Sequence, residues 1–264
     1  MESPKIDYIQ SKDNKTIKHI ISLQQRKYRQ KFGEYTVEGI RAVTDIGKKH
    51  FLRSILIRES KRSELEPLVQ KGFTVSSVYV VQDTIFDKIE HSVNGQGILG
   101  IAKKCVNDFH SLIVEDGLYV ALDGVQDPGN LGTIIRTAVA AGAKGIFLLK
   151  GTVDPYNEKC IRSTMSALCN IPIFEDVTLS EFYDFIKDNT IKTYVTSLEN
   201  AKPYHTISYP KRTMIILGNE GNGVSREIIE MCDQAITIPM YGDIESLNVS
   251  IAAALCMYKV REQI

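Results

Sequence analysis

The feature that most narrows the fold of this chain is a set of short runs that are apolar without alternation, each followed by a polar loop. Leu118 to Leu122 (LYVAL), Ile146 to Leu149, Thr193 to Thr196, Thr213 to Leu217 and Ala235 to Ile238 read as strands. A strand wetted on one side alternates polar and apolar residues. These do not, so both faces are expected to be covered, as in a mostly parallel sheet of an α/β fold. Helical spacing fills the intervals, and an apolar helix closes the chain from about Asn248 to Arg261. Ligands in such sheets sit beyond the carboxyl ends of the strands, so the loops there are expected to hold the site.

The N-terminal part is a second, smaller α/β pattern. From Asn14 to Gln30 the apolar residues Ile17, Ile20, Ile21 and Tyr28 recur at helical spacing, which predicts one amphipathic helix stopped at Gly33. Strands are expected at Tyr35–Glu38, Leu52–Ile57, Ser77–Val81 and Ile98–Ala102, and helices at Ile40–Lys49 and Lys61–Lys71. From Lys103 to Gly117 the periodicity lapses. The expected division is therefore a domain at 1–107, a linker at 108–117 and a larger domain at 118–264.

Composition adds a charge asymmetry. The chain has 32 basic and 32 acidic residues, but residues 1–107 hold 19 basic against 12 acidic, a net of +7. The first 31 residues alone hold eight basic and three acidic. A basic N-terminal part suits a polyanionic partner, although a solvated helix face accounts for it equally well. The 264 residues are 43% apolar and 24% charged, which excludes a largely disordered or fibrous chain. No apolar run reaches the ~18 residues of a membrane helix, and no secretory leader is expected. The five cysteines, Cys105, Cys160, Cys169, Cys232 and Cys256, include no Cys-x-x-Cys. That argues against a disulfide scaffold or structural zinc and suits a reducing, cytoplasmic setting.

Several familiar patterns lead nowhere. Gly95-Gln96-Gly97-Ile98-Leu99-Gly100 matches G-x-G-x-x-G, but its glycines run into a strand, whereas a dinucleotide loop opens a helix. There is no phosphate-binding P-loop, no G-x-S-x-G and no H-E-x-x-H. His19, His50, His91, His110 and His205 are isolated and read as surface or satisfied side chains.

Three segments carry more polar detail than folding requires. In LDGVQDPGNLGTIIRTAVAAG (Leu122 to Gly142), Asn130 stands where a helix cap is expected, and Arg136 lies in a helix that reads as apolar nearly all round. A buried guanidinium needs an acceptor, either an internal carboxylate or a ligand's phosphate or hydroxyl. In ILGNEGNGVS (Ile216 to Ser225), Gly218, Gly221 and Gly223 permit close approach of backbone to a ligand, and Glu220 is placed to pair with Arg136 or hold a ligand. In IPMYGDIESLNVSIAAAL (Ile238 to Leu255), Ser246 or Asn248 is expected to cap the last helix.

These segments, in this order and spacing, resemble the three signature motifs of the SpoU (TrmH) family, which are S-adenosylmethionine-dependent RNA ribose 2′-O-methyltransferases of the SPOUT superfamily. The resemblance covers Leu118 to Ile264, including GTVDPYNEKCIRSTMSALCNIPI from Gly151 to Ile173. FGEYTVEGIR, from Phe32 to Arg41, resembles the ribosomal-protein-like RNA-binding domain of rRNA-modifying members.

The resemblance implies a deep trefoil knot in the C-terminal domain and a homodimer formed through it, to which Leu255 and Tyr258 of the last helix would contribute. It implies a catalytic set of Arg136, Asn130, Glu220, Ser246 and Asn248, and cofactor contacts at Leu217, Gly218, Gly221, Ile238, Met240 and Leu247. For the proton of the 2′-hydroxyl, the family proposal makes the arginine the base. A guanidinium is a poor base at neutral pH, so the other option is that Arg136 orients phosphate and stabilises the alkoxide. The expected substrate is large-subunit rRNA, with tRNA or a noncatalytic role in ribosome assembly as alternatives.

Overall fold

Of the five strands expected to be covered on both faces, three are; the one at Lys192–Thr196 is buried in its middle, and the one at Gln234–Thr237, nearer the sheet edge, is buried only at Ile236. In the computed structural model, which describes residues 6–49, 51–64, 67–68, 75–92, 95–105, 107–109 and 112–264, β6 (Gly117–Leu122), β7 (Gly145–Leu149) and β11 (Arg212–Leu217) are buried almost throughout. With β8 (Ile173–Val177), β9 (Lys192–Thr196), β10 (Lys202–Pro203) and β12 (Gln234–Thr237) they form a seven-stranded sheet in the order β10-β12-β9-β11-β6-β7-β8. Every described pairing in it is parallel.

Alternate residues of these strands serve opposite layers. Tyr119, Ala121, Phe147, Met214 and Ile216 join one core with Phe182 and Phe185 of the helix Leu179–Asp188 and Ile228 of the helix Arg226–Met231. Phe147 is fully buried and packs against the rings of Phe109, Phe174, Phe182 and Phe185. Its truncation to alanine would cost about 3–5 kcal/mol. On the same strands Leu118, Val120 and Leu122 are equally buried. The helix Pro128–Ala140 packs against the last helix, Val249–Arg261, which also meets β6 and β11.

The chain divides into two compact units, one of Met1–Val106 with Tyr156–Cys169 and one of Asn107–Pro155 with Asn170–Ile264. The first therefore receives a segment from far along the sequence, including the helix Glu158–Thr164, which packs on β2 (Glu34–Glu38). Its five-stranded sheet has the order β1-β4-β3-β5-β2. Here β1 (Ile6–Ile9), β4 (Ser77–Val81) and β3 (Leu52–Arg58) run parallel, and β5 (Ile98–Lys103) is antiparallel to β3 and β2. Gly97, at φ +70, turns the chain into β5, as expected for glycines that are no nucleotide loop.

The single helix expected over Asn14–Gln30 is instead two, Lys15–Ser22 and Arg26–Phe32, the second ending on Gly33 in the left-handed region. The break has a buried cause. Arg29 is only 5% exposed and donates from Nη1 to the carbonyls of Leu23 (2.8 Å) and Gln24 (2.7 Å), closing the end of the first helix. One of the eight early basic residues is thus structural. Lys27 and Lys31 remain exposed, their ammonium groups over the rings of Tyr28 and Phe32. Of the helix expected over Lys61–Lys71, residues Glu59–Glu64 form a 3-10 turn, whereas 65–66 and 69–71 lie outside the described residues, as do His50 and His110.

Candidate active site

The loops after β6, β11 and β12 meet at the carboxyl ends of the sheet. The first is shaped by Asp127, which caps the helix Pro128–Ala140 by accepting from the Asn130 N–H at 2.9 Å, with Pro128 in the first turn. Asn130 is therefore not the cap expected from sequence. The helix starts earlier, and Asn130 falls in its first turn with its side chain available to the neighbouring loops.

The second loop is bonded to itself. Asn219 and Gly223 exchange backbone hydrogen bonds of 2.9 and 3.0 Å. The Asn219 Oδ1 accepts from the N–H groups of Gly221 (2.9 Å) and Asn222 (3.0 Å), while its Nδ2 donates to the Gly124 carbonyl at 2.8 Å. Gly218 is required for space: a Cβ there would lie 2.1 Å from the Gly223 carbonyl carbon and 2.2 Å from the Val224 nitrogen. In the third loop Asn248 caps the last helix, its Oδ1 accepting from the Ser250 N–H at 2.9 Å and hydroxyl at 2.6 Å.

Asn130 joins all three. Its Nδ2 donates to Glu220 Oε1 at 3.0 Å, and its Oδ1 accepts from Asn248 Nδ2 at 3.0 Å. Glu220 also accepts from the backbone N–H groups of Gln126 (3.0 Å) and Asp127 (3.1 Å). Partial burial pushes the Glu220 carboxyl up, but the donors from Asn130, Gln126 and Asp127 outweigh it and hold the group below its ordinary value. Glu220 stays ionised at neutral pH and fixes the chain of amides: Asn248 gives to Asn130, and Asn130 gives to Glu220.

Two of the expected residues stand outside this network. Arg136 is exposed, not buried, and does not pair with Glu220; among the described residues its side chain makes no hydrogen bond or ion pair. The expectation failed because the helix is one-sided: Leu131, Ile134, Ile135 and Ala138 are buried, while Thr133, Arg136 and Ala140 form an outer stripe. Ser246 is likewise exposed and makes no hydrogen bond among the described residues.

Beside the third loop lies an apolar recess of about 380 Å³, lined by Ile238, Met240 and Leu247, and also by Tyr204, His205 and Tyr241. His205, read from sequence as a surface or satisfied side chain, is exposed and lines this recess. Leu217 is buried within its strand and Gly221 sits on the exposed loop; neither lines the recess. Asp127 and Asn219 were missed by sequence reasoning. Asp before Pro is a recognisable helix start, and Asn before a Gly-containing turn is a recognisable side-chain-to-backbone turn.

The fold has close counterparts. The AdoMet-bound rRNA methyltransferase from Sinorhizobium meliloti superposes with a TM-score of 0.87 at 29% identity, over 97% of this chain and 98% of that one. The SpoU methyltransferase AviRb from Streptomyces viridochromogenes, bound to AdoMet, shares the fold with a TM-score of 0.86 at 23% identity, over 95% and 98%. A parallel α/β domain of this topology, its strand-end loops drawn to one carboxylate beside an apolar recess, defines a methyltransferase of the SPOUT class. Residues 117–258 match the SpoU rRNA Methylase family, and residues 14–100 match the MRM3-like substrate binding domain. The 23S rRNA (guanosine(2553)-2'-O)-methyltransferase RlmP of Bacillus subtilis is 33% identical over 96% of this chain and 98% of its own length. The chain belongs to the SpoU rRNA methylase family and is an S-adenosylmethionine-dependent RNA methyltransferase.

The residues present fit that cofactor. The recess has the size of small-molecule sites, roughly 300–1,000 Å³. Its apolar wall at Ile238, Met240 and Leu247 suits a flat heterocycle, and the ionised Glu220 in the adjoining network suits a cationic sulfonium.

Proposed function

We propose that the chain methylates a ribose 2′-hydroxyl of large-subunit rRNA, in the cytoplasm, as a homodimer. The observation that carries the reading is the Asn248–Asn130–Glu220 chain, which ties all three strand-end loops into one polar site next to an apolar recess. The choice of rRNA is supported by the B. subtilis relative, aligned along almost the whole chain, and by the substrate-binding domain match at 14–100.

When bound, S-adenosylmethionine supplies an electrophilic methyl group on a sulfonium. Ile238, Met240 and Leu247 would hold it, with the backbone around Gly218 approachable because no Cβ intervenes. Asn130 and Asn248, each oriented through Glu220, would position the ribose so that its oxygen lies in line with the methyl carbon. Arg136, projecting from the Asn130 helix without an internal partner, would take a substrate phosphate and stabilise the forming alkoxide. Ser246, two residues before Asn248, would act only with substrate present. The long sequence excursions that form the C-terminal sheet are in keeping with the trefoil knot of the family.

The dimer reading rests on the last helix, where Ile251 (52% exposed), Leu255 (38%) and Tyr258 (49%) form an uncovered apolar stripe at i, i+4, i+7 spacing. A second copy is the occupant this reading assigns to it. Leu255→Asp is expected to give monomers in sedimentation; an unchanged sedimentation coefficient would refute the interface.

The decisive assay uses labelled S-adenosylmethionine with rRNA and tRNA from a strain lacking the gene, scoring label in alkali-resistant dinucleotides. Label confined to large-subunit rRNA is expected. Label in tRNA would move the substrate class, and none in either, with cofactor binding intact, would favour a noncatalytic factor.

A further inference from the structure

The N-terminal unit contains a second chemically organised place, unconnected with methyl transfer. Cys105 and Cys169, 64 residues apart in sequence, lie with their sulfurs 2.8 Å apart, the Cys105 thiol donating to Cys169. The pair is held from several directions. The Tyr35 hydroxyl lies 3.5 Å from the Cys169 sulfur, and Lys49 Nζ donates to the Cys169 carbonyl at 2.9 Å. The Tyr156 hydroxyl accepts from the Cys105 N–H at 3.2 Å and lies 3.3 Å from its carbonyl oxygen. The Tyr35 and Tyr156 rings pack with centroids 4.8 Å apart. Both residues are partly exposed, whereas Cys160 and Cys256 are buried.

We propose that Cys105 and Cys169 are a reversible dithiol–disulfide pair, in which Cys169 attacks a low-molecular-weight disulfide and Cys105 resolves the adduct. The sulfurs need close by less than about 1 Å to reach the ~2.05 Å of a disulfide bond. The surroundings give the two different parts. The hydrogen bond from Cys105 lowers the Cys169 thiol most; burial opposes it, and the Tyr35 hydroxyl and Lys49 charge lower it further, bringing it to about 7. The same hydrogen bond and burial push Cys105 up. Cys169 is therefore the better nucleophile at neutral pH.

The exchange balances without another reagent. The Cys169 thiolate attacks one sulfur of the oxidant RSSR, forms a Cys169–S–SR bond and expels RS⁻. Cys105, losing its proton, attacks the Cys169 sulfur and expels the second RS⁻. Two protein thiols are oxidised to one disulfide, one small disulfide is reduced to two thiols, and the protein's two protons pass to the two leaving thiolates. Cys105 lies at the end of the first segment of its unit and Cys169 at the end of the second. The bond would close a loop containing Asn130 and Arg136 and join the two points at which the chain leaves this unit.

The test uses the full-length protein, incubated in its native state with oxidised glutathione, then denatured, alkylated, digested and read by mass spectrometry. A Cys105–Cys169 linked peptide in most molecules is expected, together with loss of two alkylatable thiols, both reversed by dithiothreitol. C105S should accumulate a glutathione adduct on Cys169, and C169S should form neither link nor adduct at Cys105. Five alkylatable thiols after oxidation, a link through another cysteine, an unresolved adduct in the unsubstituted protein, or a C169S adduct on Cys105 would each overturn the proposal.

Discussion

Asn130 Nδ2 donates a 3.0 Å hydrogen bond to Glu220 Oε1 across 90 residues of sequence. Because the other face of the same amide accepts from Asn248, the orientation of Asn130 is set by a carboxylate on one side and by a helix cap on the other. Asn130→Ala removes the middle of this relay and leaves Glu220 its two backbone donors. Methyl transfer should fall on the order of ten- to a hundredfold, the 1–3 kcal/mol typical of a lost buried or charged hydrogen bond. Calorimetric cofactor affinity should change much less. Equal losses in both would place Asn130 in the cofactor pocket.

Glu220→Gln disturbs the relay in another way. The amide has a single acceptor oxygen: kept toward Asn130 and Asp127, it leaves its nitrogen against the Gln126 N–H, and turned over, it faces its nitrogen to the Asn130 amide nitrogen. The pH dependence has a definite sign. A carboxyl held below its ordinary value stabilises the fold above the unfolded value of ~4.3, and loses that contribution as pH falls through the lower folded value. The stability difference between the protein and Glu220→Gln should be level from about pH 6 to 8 and shrink only in acid. Urea titrations from about pH 8 down to about pH 3 measure it; a difference that grows in acid would contradict the assigned protonation state.

Two of the three glycines on the second loop should respond unequally. Gly218→Ala forces a Cβ into the Gly223–Val224 backbone, whereas Gly221→Ala meets only the Asn219 Oδ1 at 3.5 Å, an ordinary contact. The first should cost roughly 1–3 kcal/mol or more, as overpacking does, and weaken cofactor binding at least tenfold. The second should stay within about 0.5 kcal/mol. Thermal melts with and without cofactor separate the two.

The Arg136 side chain contributes no hydrogen bond or ion pair among the described residues, so its replacement tests chemistry apart from stability. Arg136→Lys should leave stability within about 0.5 kcal/mol of the unsubstituted protein. Turnover should drop at least a hundredfold, because an ammonium cannot reproduce the guanidinium's paired contacts. Near-normal turnover would remove Arg136 from the reaction, as base or as phosphate clamp.

Deleting residues 1–107 would strip Tyr156–Cys169 of the unit it packs in, so charge reversal on the full chain is the cleaner probe of RNA binding. Lys27→Glu with Lys31→Glu should weaken RNA binding at low salt and reduce the salt slope by about 1 for each phosphate no longer neutralised. Cofactor affinity should not change. An unaltered slope would assign RNA binding to another surface.

Much was legible before the structure. Unalternating apolar runs meant strands covered on both faces, hence a parallel sheet with its polar loops at the carboxyl ends; that logic is local and period-based. The same logic offered Asn130 and Asn248 as helix caps and Glu220 as an ion-pair or ligand partner; only the family resemblance grouped the three in one catalytic set. The period-based logic failed where burial decides. One helical period over Asn14–Gln30 was broken by Arg29 turning inward to bond the Leu23 and Gln24 carbonyls, and an all-apolar reading of the Arg136 helix missed its outer stripe.

By itself, then, the sequence determined the α/β class, the boundaries of most strands, and the three loops from which a site had to come. The tertiary structure decided which side chains meet: Asn130 with Glu220 and Asn248, His205 with the cofactor-sized recess, Cys105 with Cys169, and Tyr156–Cys169 with the N-terminal unit. The physical reason is one of range. Periodicity and capping are fixed within a few residues, whereas these encounters join segments tens of residues apart, and only the packing of whole layers sets which of them come within hydrogen-bonding distance.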